Sequence, residues 1–158
     1  MGLPIKPKTP KKISASVKAL IKSLALTESP KFLDYTHRSD SYRATYCFNN
    51  CEEESVKTGA SIVYGWQIWE DKKKGFIEAE FHSVIVADGK MLDISPRETG
   101  DKKILFVPDK ARRSGRKNDR TWISWSNQKM INGILAEEAR ELEIYEIDRD
   151  YSEVRTVL

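Results

Sequence analysis

The chain has 158 residues, of which 39% are hydrophobic and 32% charged. That suits one globular domain and is too apolar for a disordered chain. No apolar run approaches the roughly 20 residues of a membrane-spanning helix, and the start, MGLPIKPKTPKK, lacks the apolar centre of a secretory signal. A cytoplasmic protein without a membrane partner is therefore expected. Lys and Arg number 27 against 24 Asp and Glu, a net charge of +3. Four of these lysines (Lys6, Lys8, Lys11 and Lys12) fall in the first twelve residues, and the rest of the chain is close to neutral, which gives little reason to expect nucleic acid as a partner. Two cysteines do not make a disulfide framework, so free thiols are expected.

Residues 1–12, rich in Pro and Lys, read as a disordered basic tail. Ile13, Val17, Leu20, Ile21 and Leu24 recur at helical spacing and predict an amphipathic helix over about 13–25, ended by Glu28-Ser29-Pro30. Residues 31–46 carry no clear period. Cys47–Lys57 reads as a second helix with Gly59 as its stop. Ser61–Glu70 alternates as a strand, with Ile62, Tyr64, Trp66 and Ile68 on one face. After the polar turn 71–75 come strands over Phe76–Ala87 and Lys90–Ser95, joined by Asp88-Gly89, a strong hairpin signal. Lys103–Val107 is a fourth strand stopped by Pro108, 109–120 a basic loop, and Thr121–Trp125 a fifth strand. Asn127 would cap a last helix with Met130, Ile131, Ile134, Leu135 and Leu142 inward, and 146–158 form an acidic tail. Residues 13–145 are then one α+β domain, a small antiparallel sheet of four to five strands with a helix packed across it.

The hairpin carries the sharpest inference. Ile77, Ala79, Phe81, Ser83 and Ile85 form one face of the second strand, and Glu78, Glu80, His82 and Val84 the other. A two-residue Asp88-Gly89 turn sets Leu92 opposite Ile85 and Asp93 opposite Val84, in agreement with the apolar pattern. His82 and Asp93 are then diagonal neighbours on one face, roughly 7 Å apart, within side-chain reach. A carboxylate fixes the tautomer of a histidine and raises its proton affinity, which suits a general base. Cys47, at the predicted start of a helix, is the candidate nucleophile, because free N–H groups and the helix dipole favour a thiolate there. Helix-borne Cys, strand-borne His and an Asp on the next strand follow the logic of a cysteine hydrolase triad.

In this order and spacing the chain resembles the papain-like superfamily in its transglutaminase-like branch, with FIEAEFHSVIVADGKMLDISP similar to that branch's His-strand, turn and Asp-strand block. Over residues 45–110 it is also similar to small bacterial and phage proteins, some described as zinc-chelation or SEC-C-type, through CFNN, GWQIWE, IEAEFHSV, DGKMLDISP and ILFVPD. The Cys-rich metal tail of SEC-C proteins is absent, so no cofactor is expected. The resemblance implies a papain/transglutaminase-like fold, with Cys47 as nucleophile, His82 as base and Asp93 as its orienter, and a thiol-dependent amide hydrolase or transferase (peptidase, amidase or glutamine deamidase) acting on a protein or peptide-like substrate. Gln67 is the candidate amide for an oxyanion hole, Trp66 and Trp69 candidate groove walls, and Glu80 a candidate for a cationic group. The competing readings are a non-catalytic binding module of the same fold, or a zinc-stabilised domain drawing on Cys47, Cys51, His37 and His82. The basic segment 109–120 is expected to dock on the acidic C-terminal region rather than on phosphates.

Overall fold

The computed structural model describes residues 4–145 and Leu158. It is α+β, with two helices and mostly antiparallel strands. Helix α1 spans Ala15–Ser23, capped by the Ser14 side chain, which accepts from the Val17 N–H. Strand β1 (Lys31–Asp34) lies in the stretch without a clear period, and helix α2 runs over Cys47–Thr58 and stops at Gly59 with φ of 75°. Strands β2 (Ser61–Asp71) and β3 (Phe76–Ala87) pair antiparallel along their whole length, followed by β4 (Lys90–Leu92) and β5 (Lys103–Pro108). The seven-stranded sheet, larger than expected, has the order β1-β5-β2-β3, continued by two later strands, with β4 also on β3.

Asp88 and Gly89 both take positive φ, 53° and 75°, as a two-residue turn of the primed type requires. Leu92 pairs with Ile85, which is the register that the apolar pattern demands.

The expected last helix is absent. In its place stand β8 (Gln128–Ile131), β9 (Ile134–Glu137) and β10 (Glu141–Tyr145). The reason is Asn132-Gly133, both at positive φ (51° and 78°), which closes a β8–β9 hairpin with Ile131 opposite Ile134. β8 extends the main sheet beyond β3. β10 pairs with β7 (Thr121–Trp125), which pairs with β6 (Gly115–Arg116), making a second sheet of three strands. β6 lies inside the basic segment. There Lys117 Nζ meets Glu143 at 2.7 Å, the kind of contact with the acidic C-terminal region that the charge pattern suggested.

Residues 4–12, expected as a tail, run against the sheet. The Lys8 backbone exchanges hydrogen bonds with Glu70 at 2.8 Å, and the Thr9 hydroxyl donates to Asp101. The acidic tail over 146–158 lies outside the described residues apart from Leu158, whose N–H donates to the Arg116 carbonyl. Among the described residues no helix is long and apolar enough to cross a membrane.

Strand alternation sorts the core. Val17 and Leu20 of α1, with Leu24 just after it, pack on Trp66, Ile68, Ala79, Phe81, Leu105 and Val107, all on one face of the main sheet. Tyr42 and Cys51 pack on Ile85 and Ile94 of that face. The opposite face holds a smaller cluster of Leu33, Val84, Ile104 and Phe106, and His82 belongs to this second face by alternation.

One flank of β3 is incomplete. β2 covers residues 76–86 on one side. On the other, β8 covers 76–79 and β4 covers 85–87, so residues 80–84 have no strand beside them among the described residues. The candidate site lies at this gap.

Candidate active site

Cys47 is the first residue of α2, and its helix has no side-chain cap. The first N–H groups of a helix lack intrahelical partners, and their dipoles favour negative charge beside them. Two features place this helix end. Thr45 takes φ of 67°, a strained choice for a β-branched residue, costing on the order of 1–3 kcal/mol. Asn50, buried one turn into α2, accepts from the Arg43 N–H at 3.2 Å and donates to the Arg43 carbonyl at 2.8 Å and to Ser95 Oγ at 3.1 Å. It thereby ties the turn before the helix to the segment after β4.

Phe48 and Cys51 anchor α2 on the Phe81 face of the sheet, whereas His82 belongs to the other. The open flank of β3 brings the two into the wall of one cavity, close enough for Cys47 to act on the charge of His82. His82 Nε2 bonds Asp93 Oδ1 at 3.0 Å. Burial opposes a charge on His82, but Cys47 and Asp93 outweigh it and push its pKa up to about 10. Asp93, fully buried, is subject to burial that would raise its pKa, yet His82 and Arg97 together hold it below the usual carboxylate range. Cys51 differs: it has no exposure, and burial pushes its thiol well up, leaving a neutral packing residue.

Sequence reading missed Arg97. Its side chain, 7% exposed, pairs with Asp93 Oδ2 through Nη1, donates to the Ser95 carbonyl at 2.7 Å and through Nη2 to Gln67 Oε1 at 3.2 Å. Because Arg97 claims the oxygen of the Gln67 amide, the NH2 group is what remains. Among the described residues Gln67 Nε2 is buried without a hydrogen-bond partner, an arrangement that normally costs about 1–3 kcal/mol.

Cys47, His82, Gln67, Glu80 and Trp69 line one cavity of about 450 Å³, closed on other sides by Phe48, Trp125 and the segment Ser95–Thr99. Asp93 is not in the wall and orients His82 from behind. Trp66 is a correction. Alternation puts it on the face opposite Gln67, where it is fully buried in the core and its indole donates to Asp109 Oδ2 at 2.9 Å. The zinc set is not assembled either: His37 is exposed and bonded to Asp40 at 2.8 Å, and among the described residues no cluster of three or more His, Cys, Asp or Glu side chains is placed to hold a metal ion.

The chain matches no protein-family model, no curated protein and no solved structure.

Proposed function

We propose that the protein is a thiol-dependent amide hydrolase or transferase with a papain/transglutaminase-like arrangement, in which Cys47, His82 and Asp93 act as nucleophile, base and orienter. The observation that carries this reading is that one buried imidazole is bonded to a buried carboxylate and stands with a helix-N-terminal thiol in the wall of one cavity. In this mechanism His82 already holds the proton taken from the thiol when Cys47 Sγ attacks the amide carbon. The oxyanion that forms meets Gln67 Nε2, a donor with no other partner among the described residues, and the N–H groups at the start of α2. His82 then returns the proton to the leaving nitrogen, and water or an amine resolves the thioester.

Alkylation of Cys47 by iodoacetamide against pH, read by mass spectrometry, tests this. A free thiol titrates near 8.5. The expected result is that at pH 7 Cys47 reacts much faster than glutathione does, that Cys51 stays unmodified in the same molecule, and that His82→Ala abolishes this advantage while circular dichroism shows the fold retained. Ordinary Cys47 reactivity, indifferent to His82, would favour the non-catalytic binding module.

A further inference from the structure

We infer that the cavity accepts an amide-bearing ligand that carries an ammonium or guanidinium group, with Glu80 as the carboxylate that selects it. This rests on the reading of Cys47 as the reacting thiol and adds the chemistry of what lies next to it.

The two directly opposed residues Gln67 and Glu80 are each left incomplete. Among the described residues Gln67 Nε2 has no acceptor, although Glu80 stands across the ladder from it. Glu80 leans instead on Trp69, whose indole N–H donates to Oε1 at 3.4 Å. Among the described residues no Lys, Arg or His lies within ion-pair distance of Glu80. By contrast, Glu78 on the same face has Lys129 at 3.7 Å and Asn127 Nδ2 at 3.1 Å. The cations in the cavity wall, Arg97 and His82, are already paired with Asp93. Glu98, at the exposed rim, adds a second negative charge, and among the described residues the wall carries no further cation to balance the two. A buried amide donor requires an acceptor such as a carbonyl oxygen, and a half-buried carboxylate beside an indole suits a cation. One ligand satisfies both.

Spacing narrows the class further. Glu80 and His82 are two residues apart on β3 and point to the same side, so roughly 7 Å separates them. The cation should therefore sit about that far from the reacting carbonyl. A lysine or arginine side chain on the acyl residue reaches this far, and so does a free amino terminus one residue before it.

Charged thiol reagents read the field at Cys47 without needing turnover. Trimethylammonioethyl, ethyl and sulfonatoethyl methanethiosulfonates would be compared on the full chain at low salt, with modification followed by mass. The expected order is cationic over neutral over anionic, with each step about tenfold from a carboxylate at this distance, and Glu80→Gln should collapse it. A flat order at a fast Cys47 overturns the inference and leaves the hydrolase reading standing. A sluggish Cys47 that keeps the Glu80-dependent order does the reverse. An order that survives Glu80→Gln also overturns the role assigned to Glu80. Acetyl-lysyl, acetyl-norleucyl and glycyl-norleucyl chloromethyl ketones then separate the two cation sources. Faster labelling by the first points to the side chain, faster labelling by the third to the amino terminus, and no gain from either over acetyl-norleucyl overturns the proposal.

Discussion

The Arg97 guanidinium pairs with Asp93 Oδ2, four residues back along the chain, while His82 holds Oδ1 of the same carboxylate. Asp93 is fully buried, so these two cations are what keep it ionised there. Removing one partner of a buried pair strands the other charge and typically costs about 3–5 kcal/mol. Arg97→Met should therefore lower stability by roughly that amount in urea unfolding. Arg97→Lys restores the charge but not the planar fork that also reaches Gln67, so it should recover stability while leaving the Gln67 amide without its anchor. Equal stability of Arg97→Met and the parent would show that Asp93 does not depend on the pair.

The state of His82 can be observed directly. Only two histidines are present, so the ring resonances in an NMR titration are few. His82 should hold its proton up to about pH 10, with Cys47 the largest of the contributions that act against burial. Cys47→Ser should move the titration down. The sign for stability follows from linkage. A folded value above the unfolded one, about 6.5, gives a contribution complete below pH 6.5 and lost as the pH climbs through the folded value. In Cys47→Ser, where no thiol exchanges protons with the ring, a urea midpoint that falls as the pH rises above about 6.5 shows that Asp93 alone keeps the folded value raised. A midpoint that instead rose across this range would mean that burial outweighs Asp93.

Gly65 lies directly across the ladder from His82 and also opposite Pro108 of β5. A Cβ there would strike the Val107 carbonyl oxygen and come within 2.6 Å of Phe106 Cζ and 2.9 Å of Pro108 Cα. Two of these obstacles are backbone and cannot rotate aside. Gly65→Ala should push β5 away from β2 and cost about 1–3 kcal/mol. Because Phe106 rests against the His82 ring, with centroids 6.2 Å apart, the same change should shift the His82 NMR signals. An alanine variant with unaltered stability and spectrum would mean that β5 is free to give way.

The parts of the site that were legible in the sequence were those set by local periodicity. Asp88-Gly89 and the alternation of β3 and β4 fixed which side His82 and Asp93 share, and the structure joins them at 3.0 Å. Glycine-closed α2 put Cys47 at a helix start. Arg97 was invisible because it sits in irregular chain, where no period marks a charged side chain as buried. Gly65 owes its constraint to β5, distant along the chain, which alternation within β2 cannot report. The misread last helix is a different case. Met130, Ile131, Ile134 and Leu135 mimic a helical stripe, but Ile134 is 71% and Leu135 46% exposed, so that apolar pattern does not record burial. The Asn132-Gly133 pair was the stronger signal, since two consecutive positive φ values end any helix.

Asp109, just past β5, joins the core to the basic segment. Its Oδ2 accepts from the Trp66 indole and from Arg112 Nη1, each at 2.9 Å, and its Oδ1 from the N–H groups of Ala111 and Arg112 at 2.9 and 3.1 Å. Arg112 in turn donates to the Leu24 carbonyl at the end of α1. Burial would raise the pKa of this carboxyl, but the four bonds outweigh it and hold it below the usual range. A folded value below the unfolded one, about 3.9, means a contribution present above that pH and lost as the pH falls through the folded value. Hydrogen bonds to a charged acceptor contribute about 1.5–3 kcal/mol. Asp109→Asn should cost an amount of that order at pH 7 and less at pH 3, so its urea midpoint should approach that of the parent in acid. Asp109→Ala should cost more at both, because it leaves the buried Trp66 N–H without an acceptor. A deficit for Asp109→Asn that stays constant from pH 7 to pH 3 would show that the carboxylate charge contributes nothing and that only its shape is used.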